Sequence, residues 1–181
     1  VKKYPSREVM YVTGPYKSGK SRALKIIQKQ LTSQGRLVIS VDASNFWPID
    51  NFLEAIKGSI AQSLVEIKSF VPSSVLLNLQ ERRLKFTRHS ISNESIPENI
   101  DPALHGVYSS LSKAIDGIFH LNKVSAFSVT KFFNRLELYR EQLRPVLIIH
   151  NYDMLLSSRE SIALFNAIES RLARRNLYGD F

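Results

Sequence analysis

The chain has no cysteine, which excludes disulfides, thiolate nucleophiles and cysteine-ligated zinc outright. It also lacks any long hydrophobic run: stretches such as "VLII" and "LFNAI" fall far short of the roughly 18 apolar residues that suggest a membrane span. The N-terminal "VKKYPSREV" has basic residues with no apolar segment behind them, so it does not read as a signal peptide. A soluble protein is the reading, with an intracellular location as the expectation. The four histidines, His89, His105, His120 and His150, show no HExxH or other ligand spacing, and a zinc site is not expected. Acids are scarce beside bases, 16 against 25, for a net charge of +9.

What is present suits one globular domain: 181 residues, 44% hydrophobic and 23% charged, enough to bury a sizeable core. The positive charge is uneven, with nine Lys or Arg in residues 1–36 against one acid, Glu8. A site for a polyanionic nucleotide accounts for part of that cluster, and nucleic acid or an anionic surface is a second candidate partner.

Val9 to Thr13, "VMYVT", reads as a short buried strand that stops at Gly14. From Lys20 to Gln34 the apolar positions Ala23, Leu24, Ile27 and Leu31 follow helical spacing, and Gly35 is placed to end that helix. A second strand, Leu37 to Val41, delivers Asp42 at its C-terminal end, so the spacing predicts a parallel βαβ unit with its ligand site at the strands' carboxyl ends. Helical patterns cover Ile49 to Phe70, with Phe52, Ile56, Ile60, Leu64 and Ile67 as the apolar face, then Ser74 to Phe86, Leu104 to Leu121 and Ser128 to Leu143. Thr87 to Pro102 reads as an exposed loop. Val146 to Ile149 is an apolar strand expected to be covered on both faces, and a last helix runs from Ser157 or Ser158 to about Arg175.

Gly14-Pro15-Tyr16-Lys17-Ser18-Gly19-Lys20-Ser21 fits GxxxxGK[ST] at every fixed position. The residue types follow from the chemistry. Glycines let the backbone curl so that its amides point at phosphate oxygens, and the following helix N-terminus adds a favourable field. Lys20 would reach the β and γ phosphates, the Ser21 hydroxyl would hold Mg²⁺, and Arg22 completes the expected binding segment. Nucleotide binding, with ATP or GTP as ligand, is the expectation.

With these residues the chain resembles P-loop NTPases of the additional-strand class, and more narrowly AAA+ and STAND ATPase domains, including archaeal-type ATPases. The resemblance implies a three-layer α/β P-loop fold over residues 1–181, a parallel sheet and a large helical insertion between the second and third visible strands. It also implies an aspartate at the end of the apolar strand to hold Mg²⁺, followed by a glutamate to polarise water. Those positions are His150 and Asn151. Imidazole is a poor ligand for Mg²⁺, which prefers hard oxygen donors, and asparagine takes no proton from water. Asp153 matches the second acid of the D-x-x-D arrangement found in some STAND members. Three readings therefore stand open: Asp153 serves the metal and catalysis, with His150 as a possible donor to the γ-phosphate; the site binds ATP with little hydrolysis; or the acid comes from elsewhere or another subunit. The family's sensor strand and helical lid are not visible before Phe181, so a truncated or processed chain is expected.

Asp42 raises another reading, since small-molecule kinases of the P-loop type place a substrate-activating acid after the second strand. A scaffold with a relic loop, binding partners through its helices, is a third class. The basic groups Arg171, Arg174 and Arg175, and Arg82, Arg83, Lys85 and Arg88, read as solvated helix positions before arginine fingers, and Phe46 and Trp47 as anchors for the following helix. The leading expectation is an ATP-binding module of a larger assembly, with protein partners or copies of itself, and with hydrolysis weak or absent.

Overall fold

The computed structural model describes residues 12–15, 17–45, 49–86, 96–119 and 126–156, together with 162 and 166. Helix α1, Lys20–Ser33, is followed by strand β1, Val38–Asp42; then come α2, Ile49–Ile67, α3, Ser73–Phe86, α4, His105–Phe119, α5, Ala126–Leu138, the single turn α6, Arg140–Leu143, and strand β2, Val146–His150. No helix among the described residues is long and apolar enough to cross a membrane.

Local chemistry sets the first boundaries. Gly19 begins α1 with a left-handed φ of 85°. At the other end Gly35 takes φ 73°, its N–H donates to Thr32 O at 2.9 Å and the Arg36 N–H donates to Leu31 O at 3.2 Å. This pair of bonds closes the helix in the Schellman manner and turns the chain back toward β1. A side chain at Gly35 would also stand 3.1 Å from the Phe70 carbonyl oxygen, so the position needs glycine twice over.

The two strands pair in parallel, Val38 with Val146 through to Asp42 with His150. The other edge of β1 is closed by a helix. Ser63 Oγ accepts from the Val38 N–H at 2.8 Å and Ser59 Oγ from the Ser40 N–H at 2.7 Å. The match is geometric: residues four apart on a helix advance about 6 Å, and alternate residues of a strand about 6.6 Å. Two hydroxyls on successive turns of α2 thus satisfy two donors that would otherwise lie unpaired at a sheet edge.

The core lies where α2 packs against β1 and against α4. Leu37 and Ile39, Leu53, Ile60, Leu64 and Ile67 of α2, Leu111 and Ile115 of α4, and Leu143 are all fully enclosed. Phe132 of α5 is buried and meets Phe133 edge to face, with ring centroids 5.8 Å apart. Lys57 pairs with Asp116 to tie α2 to α4.

The expected three-layer α/β P-loop architecture is not what forms. The described residues are mostly helical and hold a two-stranded parallel sheet. The physical reason is that the stretch read as an insertion supplies most of the buried apolar side chains, from Leu53 through Leu136, so helices make the core and the strands run along it. Strand β2 is buried only at Ile148 and half-buried at its other positions, not covered on both faces. Ile27, one of the apolar positions at helical spacing in α1, is 37% exposed. The helix expected over Ser128 to Leu143 breaks at Tyr139 into α5 and α6. Within the Val9–Thr13 strand expectation, residues 9–11 lie outside the described residues and Val12 and Thr13 are not in a strand. The helix expected up to Arg175 lies outside them as well, except that Ile162 and Asn166 are helical; His89, His120, Phe46, Trp47 and the Arg171–Arg175 cluster also fall outside.

Candidate functional site

Between Val12 and α1 the chain forms a tight loop in which three residues take positive φ: Gly14 at 150°, Lys17 at 61° and Gly19 at 85°. At Gly14 a Cβ would lie 3.2 Å from Ser18 Oγ, whereas at Gly19 nothing stands within 4 Å. Gly19 is therefore required by its backbone conformation, and Gly14 by space as well. The loop closes through the Ser18 N–H donating to Pro15 O at 3.3 Å.

Lys20 folds back into this loop. Its Nζ donates to Gly14 O and Pro15 O, both at 2.7 Å, and to Ser18 Oγ at 3.4 Å, which uses all three ammonium donors. The positive charge is thereby held at the loop's centre and not on a swinging side chain. Helix α1 starts with no side-chain cap and no acid in its first turn, and its first closed turn is the Ala23 N–H to Gly19 O at 3.0 Å. Its leading amides, which have no intrahelical acceptor, are suited to an anion. Pro15, Lys17, Ser18, Ser21 and Arg22 are exposed around this end; Tyr16 lies outside the described residues.

A second group forms where the strands end. Asp42 closes β1 in register with His150, and its Oδ1 accepts from the Ser44 N–H at 2.9 Å and from Asn151 Nδ2 at 2.8 Å. Partial burial pulls the Asp42 carboxyl upward. The bonds from Ser44 and Asn151, with the charge of His150, outweigh that and hold it below its ordinary value. Asn151 takes φ 52°, a conformation that costs a non-glycine residue about 1 kcal/mol or more. His150 Nε2 lies 3.2 Å from Ser40 Oγ, one hydrogen bond inside the sheet. Asp153 sits beyond, exposed in the 3₁₀ turn Tyr152–Leu156.

The short connection at 34–37 and the packing of α1 on β1 make the helix run back along the strand. With 14 residues in α1 and 5 in β1, the helix spans about 21 Å and the strand about 16 Å. The loop therefore lies toward the end of the sheet that carries Asp42 and His150. Among the described residues no group of three or more His, Asp or Glu could hold a metal ion by itself. A Mg²⁺ ion here would rely on one or two protein oxygens with phosphate and water, its ordinary mode. Ser21 and the side-chain carboxyl oxygens of Asp42 and Asp153 are the hard-oxygen groups that fit; His150 does not.

A polar cleft of about 410 Å³ lies elsewhere, between α1, β1 and α2, lined among others by Gln28, Ser40, Ser59, Gln62 and Glu66. Among the described residues its lining holds no cationic side chain and none of the loop residues. No family model, no curated protein and no solved structure matches the chain.

Proposed function

We propose that the protein binds a nucleoside triphosphate, with ATP as the working ligand, through Gly14–Arg22, and uses it as a structural or switching ligand with little or no hydrolysis. The observation that carries this reading is the Lys20 ammonium drawn into the Gly14–Ser18 loop beside an uncapped helix N-terminus. To bind phosphate the ammonium exchanges a loop oxygen for a phosphate oxygen while the leading amides of α1 supply further donors. What is kept from the AAA+ and STAND resemblance is this loop chemistry, and not the layered sheet. Service within a larger assembly belongs to the same proposal.

Three residues argue against efficient turnover. His150 is engaged with Ser40, Asn151 with Asp42, and neither supplies the carboxylate base that would take a proton from water. Asp42 has its carboxyl held low by its bonds, which makes it a weak base both for water and for a kinase substrate hydroxyl. When bound, Mg²⁺ would neutralise phosphate charge.

The test is the affinity of a fluorescent ATP analogue for the wild type and for Lys20→Ala, with phosphate release followed in parallel. Binding that weakens at least about tenfold on losing Lys20, with release near the uncatalysed rate, is the expected result. Equal binding by the two proteins, or none by the wild type at millimolar nucleotide, overturns the reading.

A further inference from the structure

We infer that the carboxylate holding the nucleotide's Mg²⁺ is Asp42, brought from β1 to the place where β2 ends without an acid, and that Asn151 is its positioning residue. This rests on the nucleotide reading above.

The strand register carries the inference. Asp42 and His150 are direct partners across the parallel pair, so the aspartate stands one strand spacing, about 4.8 Å, from the position that lacks an acid. The sheet end has a carboxylate after all, supplied sideways by a residue 108 positions earlier in the chain. The Ser44 N–H and the Asn151 amide both donate to Oδ1 and the Ser44 side chain bonds the same carboxylate; with about four lone-pair sites, a carboxylate so held still offers the hard oxygen that Mg²⁺ takes. Asn151 holds a left-handed backbone while its amide fixes Oδ1, a local strain of the sort that persists where the surroundings over-determine a site. Asp153, the acid that the strand sequence itself suggests, lies outside this arrangement in an exposed turn. The Ser21 hydroxyl in the first turn of α1, phosphate oxygens and water would complete the shell. The plainer role for Asp42 is to cap the turn at Ser44, and the test separates the two.

The experiment measures binding of the fluorescent ATP analogue with Mg²⁺ and with EDTA, for the wild type, Asp42→Asn, Asp153→Asn, Asn151→Gly and Lys20→Ala. Binding of Mn²⁺ to the nucleotide complex is followed by electron paramagnetic resonance. Asparagine keeps an oxygen for the Ser44 N–H, so Asp42→Asn is expected to fold and melt like the wild type. The expected result is that Asp42→Asn loses about tenfold or more of the affinity gained from the metal, leaves the EDTA affinity unchanged, and loses bound Mn²⁺; Asn151→Gly shows the same change in smaller measure. Asp153→Asn behaves as wild type. A metal gain that survives Asp42→Asn, or that disappears with Asp153→Asn, overturns the inference, as does wild-type binding indifferent to metal. A capping role alone would leave the metal dependence of Asp42→Asn as it is in the wild type. Lys20-dependent binding with Asp42 irrelevant sinks this inference only, whereas no binding by any protein sinks the nucleotide reading with it.

Discussion

Helix α2 packs on both β1 and α4, and Leu53, Ile60, Leu64, Leu111 and Ile115 of these two helices are all enclosed, while α1 buries only Thr32 and leaves Ile26 and Ile27 at 59% and 37% exposed. The first region has the apolar contact that stabilises a fold; the second has the loop, the preset lysine and the uncapped amides. The proposed binding segment thus lies apart from the residues that form the core, in a part of the chain with few buried apolar side chains.

The largest expected effect tests that division directly. Leu111→Ala should lower unfolding free energy in urea by about 2–5 kcal/mol, since it opens a cavity among fixed neighbours. Ile26→Ala in α1 should change it by less than about 0.5 kcal/mol. Comparable losses from the two would show that α1 is held as firmly as the helical body, and the contrast would fail.

A middle-sized effect is expected at the helix–strand seam. Ser63→Ala strips the buried Val38 N–H of its acceptor and should cost about 1–3 kcal/mol. Ser59→Ala, at the half-buried Ser40 N–H, should cost less because water can reach the site. Denaturant titration of both variants ranks them; an unchanged midpoint for Ser63→Ala would mean that this seam contributes nothing to the body's stability.

The smallest effect concerns charge at the foot of α4. Asp101 accepts from the Ala103 N–H at 2.9 Å and pairs with Lys68 at 3.2 Å. The Ala103 bond and the Lys68 charge hold its carboxyl below the ordinary value against the opposing pull of burial. A carboxyl lowered in the folded state stabilises fully above its unfolded pKa of about 3.9, and that contribution is lost as pH falls through the lowered value. Asp101→Ala should therefore cost about 1 kcal/mol at neutral pH, and the gap from wild type should close in acid. Thermal melts at pH 7 and near pH 2.5 check it, and a gap that stays constant or widens would contradict the assignment.

Much of the helical body could be read from spacing alone. Ile56, Ile60, Leu64 and Ile67, placed on one face by their period, are buried, and Gly35 ends α1 because few other residues take its backbone conformation. The tight turn before α1 was legible for the same reason: Gly14 and Gly19 mark conformations that local sequence dictates. The size of the sheet was not. An apolar "VLII" shows that a strand is hydrophobic but not how many neighbours cover it, and β2 turns out half-buried. Pairings across the fold were also hidden, because nothing in the neighbourhood of Asp42 announces His150 or Asn151. One missed feature did leave a trace. Ser59 and Ser63 lie four apart beside the apolar stripe of α2, and such small hydroxyl residues at that spacing hint at a backbone to be satisfied.

That serine pair also governs how α2 can move. Because each hydroxyl engages an alternate strand amide, a partial slide of the helix along β1 would break both bonds without offering replacements. Helix and strand are thereby held to a single register, one that also fixes the height at which β1 delivers Asp42.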